Sequence, residues 1–264
     1  MVATHSYAKT SMHFPCLVTS STQLGRSTVN SCTSSESSSS EAQIVNKLSK
    51  PPLSDDPSNH SVPILETLLD DTDPSKSYLV MPYLRLTNNP PFDIVNDIVD
   101  LTDQLFEGLA FIHAQNVAHS DDGCTYMYLK GFHPVTTDLK PDMRGDAPYH
   151  SRFTNPRPVK YKYVDFGISL QFASEQDHTP KLVVGTTGLD DQVPELSDVT
   201  PSRYDPFKVD VFILRNYFKQ TMLNYYDNVA FLAPLVKSMT SREPADRPDA
   251  AAIVREWQMI REGI

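Results

Sequence analysis

The spacing of hydrophobic residues predicts a chain with a helix-rich carboxyl-terminal part and a sparsely apolar beginning. The clearest helix starts near Phe92 and ends between 113 and 116. Its apolar residues recur at steps of three and four, the spacing of one helix face: Ile94, Ile98, Leu101, Leu105, Leu109 and Ile112. The same pattern predicts further helices at about 208–223, 228–240 and 249–262.

Shorter apolar runs predict the strands. Residues 62–69, 78–84 and 160–164 have the length and composition of strands, and Pro82 lies inside the second run. A short helix is expected over 41–48, because its apolar residues share one face and Ser40 precedes it as a possible N-cap. The proline-rich segment 50–60 is expected to be a link.

Two regions lack such patterns. The serine-rich tract 27–40 has almost nothing to bury, so residues 1–40 are expected to be disordered or degenerate, with Phe14–Thr19 at best a lone strand. A long irregular region is expected from about 122 to 158.

Composition and charge narrow the class of protein. The formal net charge is −10, which argues against non-specific binding to nucleic acid. No apolar run approaches the ~20 residues needed to span a bilayer, and the amino terminus lacks the pattern of a secretory signal. Three widely spaced cysteines are typical of free thiols in a reducing compartment. We therefore expect an intracellular protein, cytoplasmic or nuclear, without a membrane or nucleic-acid partner.

Several short motifs follow one another in a fixed order, each next to a predicted helix or strand. His119-Ser120-Asp121 follows the long helix, and Asp165-Phe166-Gly167 follows the strand near 160. Val193-Pro194-Glu195 ends a long loop, Asp210 begins a helix, and Arg247 precedes the last helix.

This order resembles the signature set of eukaryotic protein kinases. The similarity covers about residues 60–264 and is greatest to fungal kinase-domain proteins with VAHRD, KGFHP and DFG segments. The resemblance implies an α+β, two-lobed fold. A truncated or degenerate β-rich small lobe would retain 41–84, and a mainly α-helical large lobe would comprise 85–264, with an insert at about 122–158.

The resemblance also implies the chemistry of phosphoryl transfer from ATP with Mg²⁺ to a protein Ser or Thr hydroxyl. Asp121 would orient the hydroxyl and accept its proton, and Asp165 would hold Mg²⁺, because carboxylate oxygens suit this hard cation. Met81 and Leu84 would line the adenine pocket. A buried edge strand containing a proline remains the alternative for that segment.

Other residues would have structural roles by the same resemblance. His119 and Phe166 would stack in the apolar column that joins the lobes, and Gly167 would complete the Asp-Phe-Gly motif. Glu195 and Arg247 would form a buried ion pair, and Asp210 would accept hydrogen bonds from the catalytic-loop backbone. Glu41 resembles the helix Glu that pairs with a Lys near the nucleotide, and Lys9 is the nearest match to that Lys. The alternative for Glu41 is a solvated helix residue.

The sequence also departs from the kinase pattern. Ser120 replaces an Arg that meets a phosphorylated activation loop, and Tyr126 replaces the Asn ligand of a second Mg²⁺ (Tyr128 if two residues are inserted). No Gly-x-Gly-x-x-Gly loop precedes residue 60. Asp138 begins a DLKP tetrapeptide that imitates a catalytic loop, but no predicted helix precedes it, which favours Asp121.

Two functions therefore remain open at the level of sequence. One is an ATP-dependent kinase with impaired activity, acting on a protein substrate. The other is a pseudokinase, a non-catalytic module that binds a protein partner. The serine tract also leaves open a fragment or a mis-joined start whose true small lobe is not represented.

Overall fold

The computed structural model describes residues 27–33, 36–73, 76–82, 85–88, 91–120, 128–130, 159–173, 181–184, 192–196 and 203–264. Within these ranges the protein is an α+β structure of five α-helices and small antiparallel sheets. None of the helices in the described ranges is long and apolar enough to cross a membrane.

The largest described sheet has three strands, β1 (Ser27–Thr33), β2 (Glu66–Leu69) and β3 (Lys76–Pro82). The central strand is β3, and both neighbours pair with it antiparallel. Helix α1 (Glu36–Leu48) follows β1 and buries its apolar residues in the core. The strands predicted at 62–69 and 78–84 are present as β2 and β3 with shifted ends.

The described part of the serine tract includes a strand and the start of a helix. Residues 27–33 pair with β3 along their whole length, and α1 begins at Glu36 rather than at 41. Strand pairing uses backbone N–H and C=O groups, so a strand of Ser, Thr and Asn can form when a neighbour supplies the ladder. The apolar run 14–19 lies outside the described residues.

Helix α2 (Val95–Ala114) crosses the centre of the core and confirms the predicted long helix. Asp97 caps its start by accepting a hydrogen bond from the backbone N–H of Ile94 at 3.1 Å. Gly108 allows close packing in the middle, because a Cβ there would lie 2.7 Å from the ring of Tyr163 and 2.8 Å from the Cβ of His60.

The predicted helix at 208–223 is α3 (Pro206–Phe218) followed by one π-helical turn, Lys219–Leu223. Asp205 caps α3 by accepting from the N–H of Phe207 at 2.9 Å. The segment predicted as a helix at 228–240 is divided into a 3₁₀ stretch, Asp227–Leu232, and α4 (Ala233–Ser238). A proline in the first turn of α4 is compatible with a helix start but not with an uninterrupted helix.

The last predicted helix is α5 (Ala250–Arg261), which packs against α2. Asp249 accepts a hydrogen bond from the N–H of Ala252 at 2.6 Å and caps α5. The Trp257 indole donates to Asp103 Oδ1 on α2 at 2.7 Å. This bond satisfies the polar edge of a side chain that is otherwise buried.

In the described part of the chain, seven short strands around these helices form a second three-stranded sheet and two strand pairs. In chain order they are β4 (Arg85–Leu86), β5 (Val117–Ala118), β6 (Tyr128–Lys130), β7 (Lys160–Lys162), β8 (Leu170–Gln171), β9 (Val183–Val184) and β10 (Arg203–Tyr204). Strand β6 lies between β4 and β7, β5 pairs with β8, and β9 pairs with β10. The region predicted as irregular at 122–158 thus contains β6 in its described part.

Candidate functional site

The carboxylate of Asp210 holds the backbone that leads into the His119-Ser120-Asp121 motif. Asp210 lies on α3 and is 4% exposed. Its Oδ2 accepts from the N–H of His119 at 2.8 Å, and its Oδ1 accepts from the N–H of Ser120 at 2.7 Å. Both donors are buried, and the bond fixes Ser120 in a positive-φ conformation of 58°.

His113 also contacts this carboxylate, with Nε2 at 2.8 Å from Asp210 Oδ2. The sequence placed His113 at the end of the long helix without assigning it a role. Its partner lies 97 positions further along the chain. Helical periodicity reports only neighbours within a few turns, so no local pattern pointed to this contact.

The ring of His119 joins this backbone to the Asp165-Phe166-Gly167 segment. Nε2 of His119 lies 2.9 Å from the carbonyl oxygen of Val164, and the ring packs edge-on against Phe166 with centroids 4.9 Å apart. Burial lowers the pKa of His119, although Asp210 opposes the shift. A neutral ring with Nε2–H as the donor satisfies this geometry.

A second bond reinforces the same connection. The hydroxyl of Ser169 donates to the carbonyl oxygen of His119 at 2.8 Å. Phe166 is fully buried, whereas its neighbour Asp165 is exposed. The two motifs therefore form one unit that buries its aromatic rings and leaves the carboxylate of Asp165 accessible.

Asp165 has a backbone conformation that non-glycine residues rarely adopt, with φ of 60°. The N–H of Gly167 donates to Asp165 Oδ1 over a long 3.4 Å. Unusual backbone conformations persist where the surrounding structure enforces them, and they are concentrated at functional sites. Here the buried Phe166 on one side supplies that constraint.

Glu41 on α1 lies next to Asp165. A Cβ placed on Gly167 would be 3.8 Å from Glu41 Oε2 and 3.2 Å from Asp165 Oδ1, so both carboxylates flank this glycine. Burial first, and then the charge of Asp165, raise the pKa of Glu41 to about 7. Glu41 is therefore not the solvated helix residue of the alternative interpretation.

No cationic side chain pairs with Glu41 in the described part of the chain. The strand directly before α1 is β1, whose sequence STVNSCT contains neither Lys nor Arg. Lys9, the predicted partner, lies outside the described residues. The structure thus brings Glu41 to Asp165, and the Lys9 that the resemblance pairs with Glu41 stays a prediction.

Glu195 and Arg247 form a bidentate ion pair, as expected. Arg247 Nη1 and Nη2 donate to the two oxygens of Glu195 at 2.6 and 2.8 Å. The Arg247 side chain is 0% exposed and also donates to the carbonyl oxygens of Ser241 and Lys208. Its guanidinium lies 4.8 Å from the centroid of the Phe212 ring.

The remaining predicted site residues are described only in part. Met81 is buried near the end of β3, 8% exposed. Tyr128 lies in β6, opposite Lys162 of β7. The positions of four further predicted residues and of the alternative Asp138 lie outside the described residues: Lys9, Leu84, Asp121 and Tyr126.

No group of three or more His, Cys, Asp or Glu side chains able to hold a metal ion occurs within the described ranges. Glu41 and Asp165 form a pair only. A pair of carboxylates is still the protein contribution that Mg²⁺ commonly receives when substrate phosphates supply further oxygens.

Comparison with known proteins assigns no family. No protein-family model matches the chain, and no curated protein matches it.

Proposed function

We propose that this chain is a protein-kinase-like domain in which phosphoryl transfer is weak or lost. The observation that carries the proposal is the connection from Asp210 through His119 to Phe166, next to the exposed Asp165. In that arrangement one buried carboxylate orients the backbone before Asp121, and one buried aromatic pair orients Asp165. The two acidic residues needed for phosphoryl transfer, Asp121 and Asp165, each lie next to a residue that is held in this way.

The proposal includes a two-lobed organisation. The small lobe would consist of β1, β2, β3 and α1, and the large lobe of α2 to α5. The segment after Pro82 would join them and provide the adenine contacts assigned to Met81 and Leu84. The ion pair of Glu195 with Arg247 would fix the end of the activation segment to the large lobe.

The residues present fit Mg²⁺ better than they fit the phosphates of ATP. Asp165 would hold the ion with its exposed carboxylate, and the carboxyl group of Glu41 would lie next to it. Magnesium-bound ATP would supply the transferable phosphoryl group. Asp121 would accept the proton of the attacking hydroxyl, and Asp210 would keep the backbone before Asp121 in place.

Weak activity follows from what surrounds this carboxylate pair. Phosphoryl transfer depends on cationic groups that neutralise the phosphates. Within the described ranges neither β1 nor any ion pair brings a Lys or Arg to Glu41 or Asp165. The Asn that would hold a second Mg²⁺ is replaced by Tyr126, or by Tyr128 of β6 if two residues are inserted.

The lack of a Lys or Arg next to Glu41 and Asp165 within the described ranges also favours the second candidate, a non-catalytic module that binds a protein partner. No basic partner of Glu41 lies within the described ranges and its pKa is raised to about 7, so keeping this carboxylate ionised next to Asp165 is costly. Such a site retains the fold around Asp165 without the charge balance that efficient catalysis needs.

A phosphotransfer assay separates the two candidates. The full chain would be incubated with Mg²⁺, γ-labelled ATP and casein, next to Asp121→Asn and Asp138→Asn variants. We expect a rate at least about a thousandfold below the 1–100 s⁻¹ of typical kinases. A residual rate abolished by Asp121→Asn alone supports impaired catalysis, and abolition by Asp138→Asn alone would assign the base to Asp138.

No detectable transfer in the parent chain would leave the non-catalytic module as the function. A rate within the range of typical kinases, lost in Asp121→Asn, would overturn the claim of weak activity.

A further inference from the structure

The segment around β2 is exposed and apolar. All four residues of β2 are exposed, as is Leu65 directly before it. The exposed fractions are 51% for Leu65, 41% for Leu68 and 74% for Leu69. Leucines on successive positions of a strand are normally covered, and contiguous exposed apolar surface is typical of binding sites.

This segment is also the edge of its sheet within the described ranges. The strand order is β1-β3-β2, so one side of β2 pairs with β3 and the other faces outward. An edge strand presents unpaired N–H and C=O groups that can pair with another extended segment. The backbone groups and the leucine side chains of β2 therefore offer the two components of strand addition.

The two faces of β2 differ in chemistry. Thr67 is opposite the buried Leu79 of β3, and Leu69 is opposite Ser77, so Leu69 extends the core-facing side of the sheet. Glu66 is on the other face, opposite Val80, together with Leu68, opposite Tyr78. Since side chains alternate along a strand, an added strand would meet Leu69 on one face, and a carboxylate next to a leucine on the other.

The chain segment that contains β2 is acidic, and the first basic residue after it is Lys76, at the start of the paired strand β3. Between residues 51 and 75 the chain has no Lys or Arg. The acidic residues of this segment are Asp55, Asp56, Glu66, Asp70, Asp71 and Asp73. Asp70 accepts hydrogen bonds from Thr72 and from the Tyr78 hydroxyl, and these bonds hold its pKa well below its ordinary value. The carboxylate is thus ionised at neutral pH.

We propose that the edge of β2 binds an extended segment of a partner protein in which apolar residues alternate with Lys or Arg. Apolar side chains of the partner would cover Leu65 and Leu69, and its basic side chains would meet Glu66 and Asp71. A second copy of this chain is disfavoured as the occupant. Pairing two β2 edges would bring together two acidic segments of molecules that each carry a net charge of −10.

The test uses the full chain and a labelled synthetic peptide of about ten residues alternating Lys and Val, the length of a long strand. Fluorescence anisotropy measures its binding at low salt. Two matched peptides serve as controls, one with Glu for Lys and one with Pro at alternate Val positions. The Pro peptide keeps the positive charge but cannot form a strand ladder.

We expect binding with Kd below about 100 µM for the Lys-Val peptide and at least about tenfold weaker binding for both controls. The double variant Glu66→Lys/Asp71→Lys should also weaken binding at least about tenfold, because it reverses the charge next to the edge. Leu69→Gln tests the apolar face without changing charge and should weaken binding about three- to tenfold. Glu262→Lys, on an exposed position after α5, is the charge control and should bind like the parent.

Equal binding of the Lys-Val and Pro peptides would show general electrostatic attraction and overturn strand addition. Absence of binding at 1 mM peptide, or dimerisation of the parent chain that Leu69→Gln abolishes, would overturn the proposed partner. Circular dichroism of each variant verifies its fold, and two independent variants keep the test valid if one fails to fold.

Discussion

The guanidinium of Arg247 donates hydrogen bonds to both carboxylate oxygens of Glu195, at 2.6 and 2.8 Å, and the two residues are 52 positions apart in the sequence. The Arg247 side chain is fully buried, and the Glu195 side chain is 9% exposed. A buried charge that loses its partner keeps its desolvation cost without compensation. This pair therefore connects the segment before α3 to the segment before α5, and removing either partner should strongly destabilise the fold.

Replacing Arg247 with Met should lower the free energy of unfolding by about 3–5 kcal/mol, because Glu195 would remain buried and unpaired. Urea denaturation followed by circular dichroism measures the change. Arg261→Met is a matched control, since the ion pair of Arg261 with Asp103 is half-exposed and should contribute only about 0–1 kcal/mol. Equal effects of the two substitutions would contradict the importance of the buried pair.

Asp210→Ala should destabilise the protein by about 3–5 kcal/mol. The substitution leaves the buried N–H groups of His119 and Ser120 without acceptors, at a cost of about 1–3 kcal/mol each. Asp205→Ala on the same helix removes only an N-cap, and its expected cost is about 1 kcal/mol. Thermal or chemical unfolding of both variants provides the comparison, and a smaller loss for Asp210 than for Asp205 would count against the described network.

Glu41→Gln should stabilise the protein at pH 8 and have little effect at pH 5. The folded-state pKa of Glu41 is raised from 4.5 to about 7, so its stabilising protonated form is present below pH 4.5 and is lost as pH rises through 7. The maximal difference is about 3 kcal/mol. Melting temperatures at the two pH values give the result, with Glu262→Gln as an exposed control.

This substitution also tests whether a Lys or Arg outside the described residues pairs with Glu41. If a Lys or Arg paired with Glu41, removing the charge would lower the melting temperature at pH 8. A decrease there would contradict the unpaired carboxylate and favour the catalytic candidate.

His60 should make the protein less stable at acidic pH. Burial first, and then the charges of Lys162 and Lys160, lower its pKa from 6.5 to about 4. The only facing carboxylate among the described ion pairs is Glu107, 3.6 Å from Nε2. The folded state binds the proton less readily, so the stability due to neutral His60 is complete above pH 6.5 and is lost as pH falls from 6.5 to 4, by up to about 3 kcal/mol.

The measurement is the free energy of unfolding in urea at pH 4.5 and pH 7 for the parent and for His60→Gln. The variant should lose less stability between pH 7 and pH 4.5 than the parent. An identical loss in both proteins would show that the titration of His60 does not contribute.

Local pattern was enough to predict some elements and not others. The long helix α2 was predictable because its apolar residues repeat at helical spacing over five turns. Strand β1 was not, because its seven residues have no apolar pattern and depend on pairing with β3 far along the chain. Proline at the start of α4 and the π turn after α3 shortened helices that periodicity had extended.

Some contacts of the candidate site were likewise predictable from the sequence, and others were not. Motif order led to the pairing of Glu195 with Arg247 and to the contacts of Asp210 with the His119 backbone, both of which are present. The approach of Glu41 to Asp165 depends on how α1 packs against the loop after β7. Such packing is decided by tertiary contacts and leaves no local signal in the sequence.

The most direct test of the proposed kinase-like site is the melting temperature of the full chain with and without millimolar ATP and Mg²⁺. We expect a rise of about 2–4 °C, because a ligand that binds only the folded state stabilises it. Asp165→Ala should abolish the rise, and Mg²⁺ alone should not reproduce it. No shift in the parent chain, or an equal shift in Asp165→Ala, would contradict a nucleotide site built around Asp165.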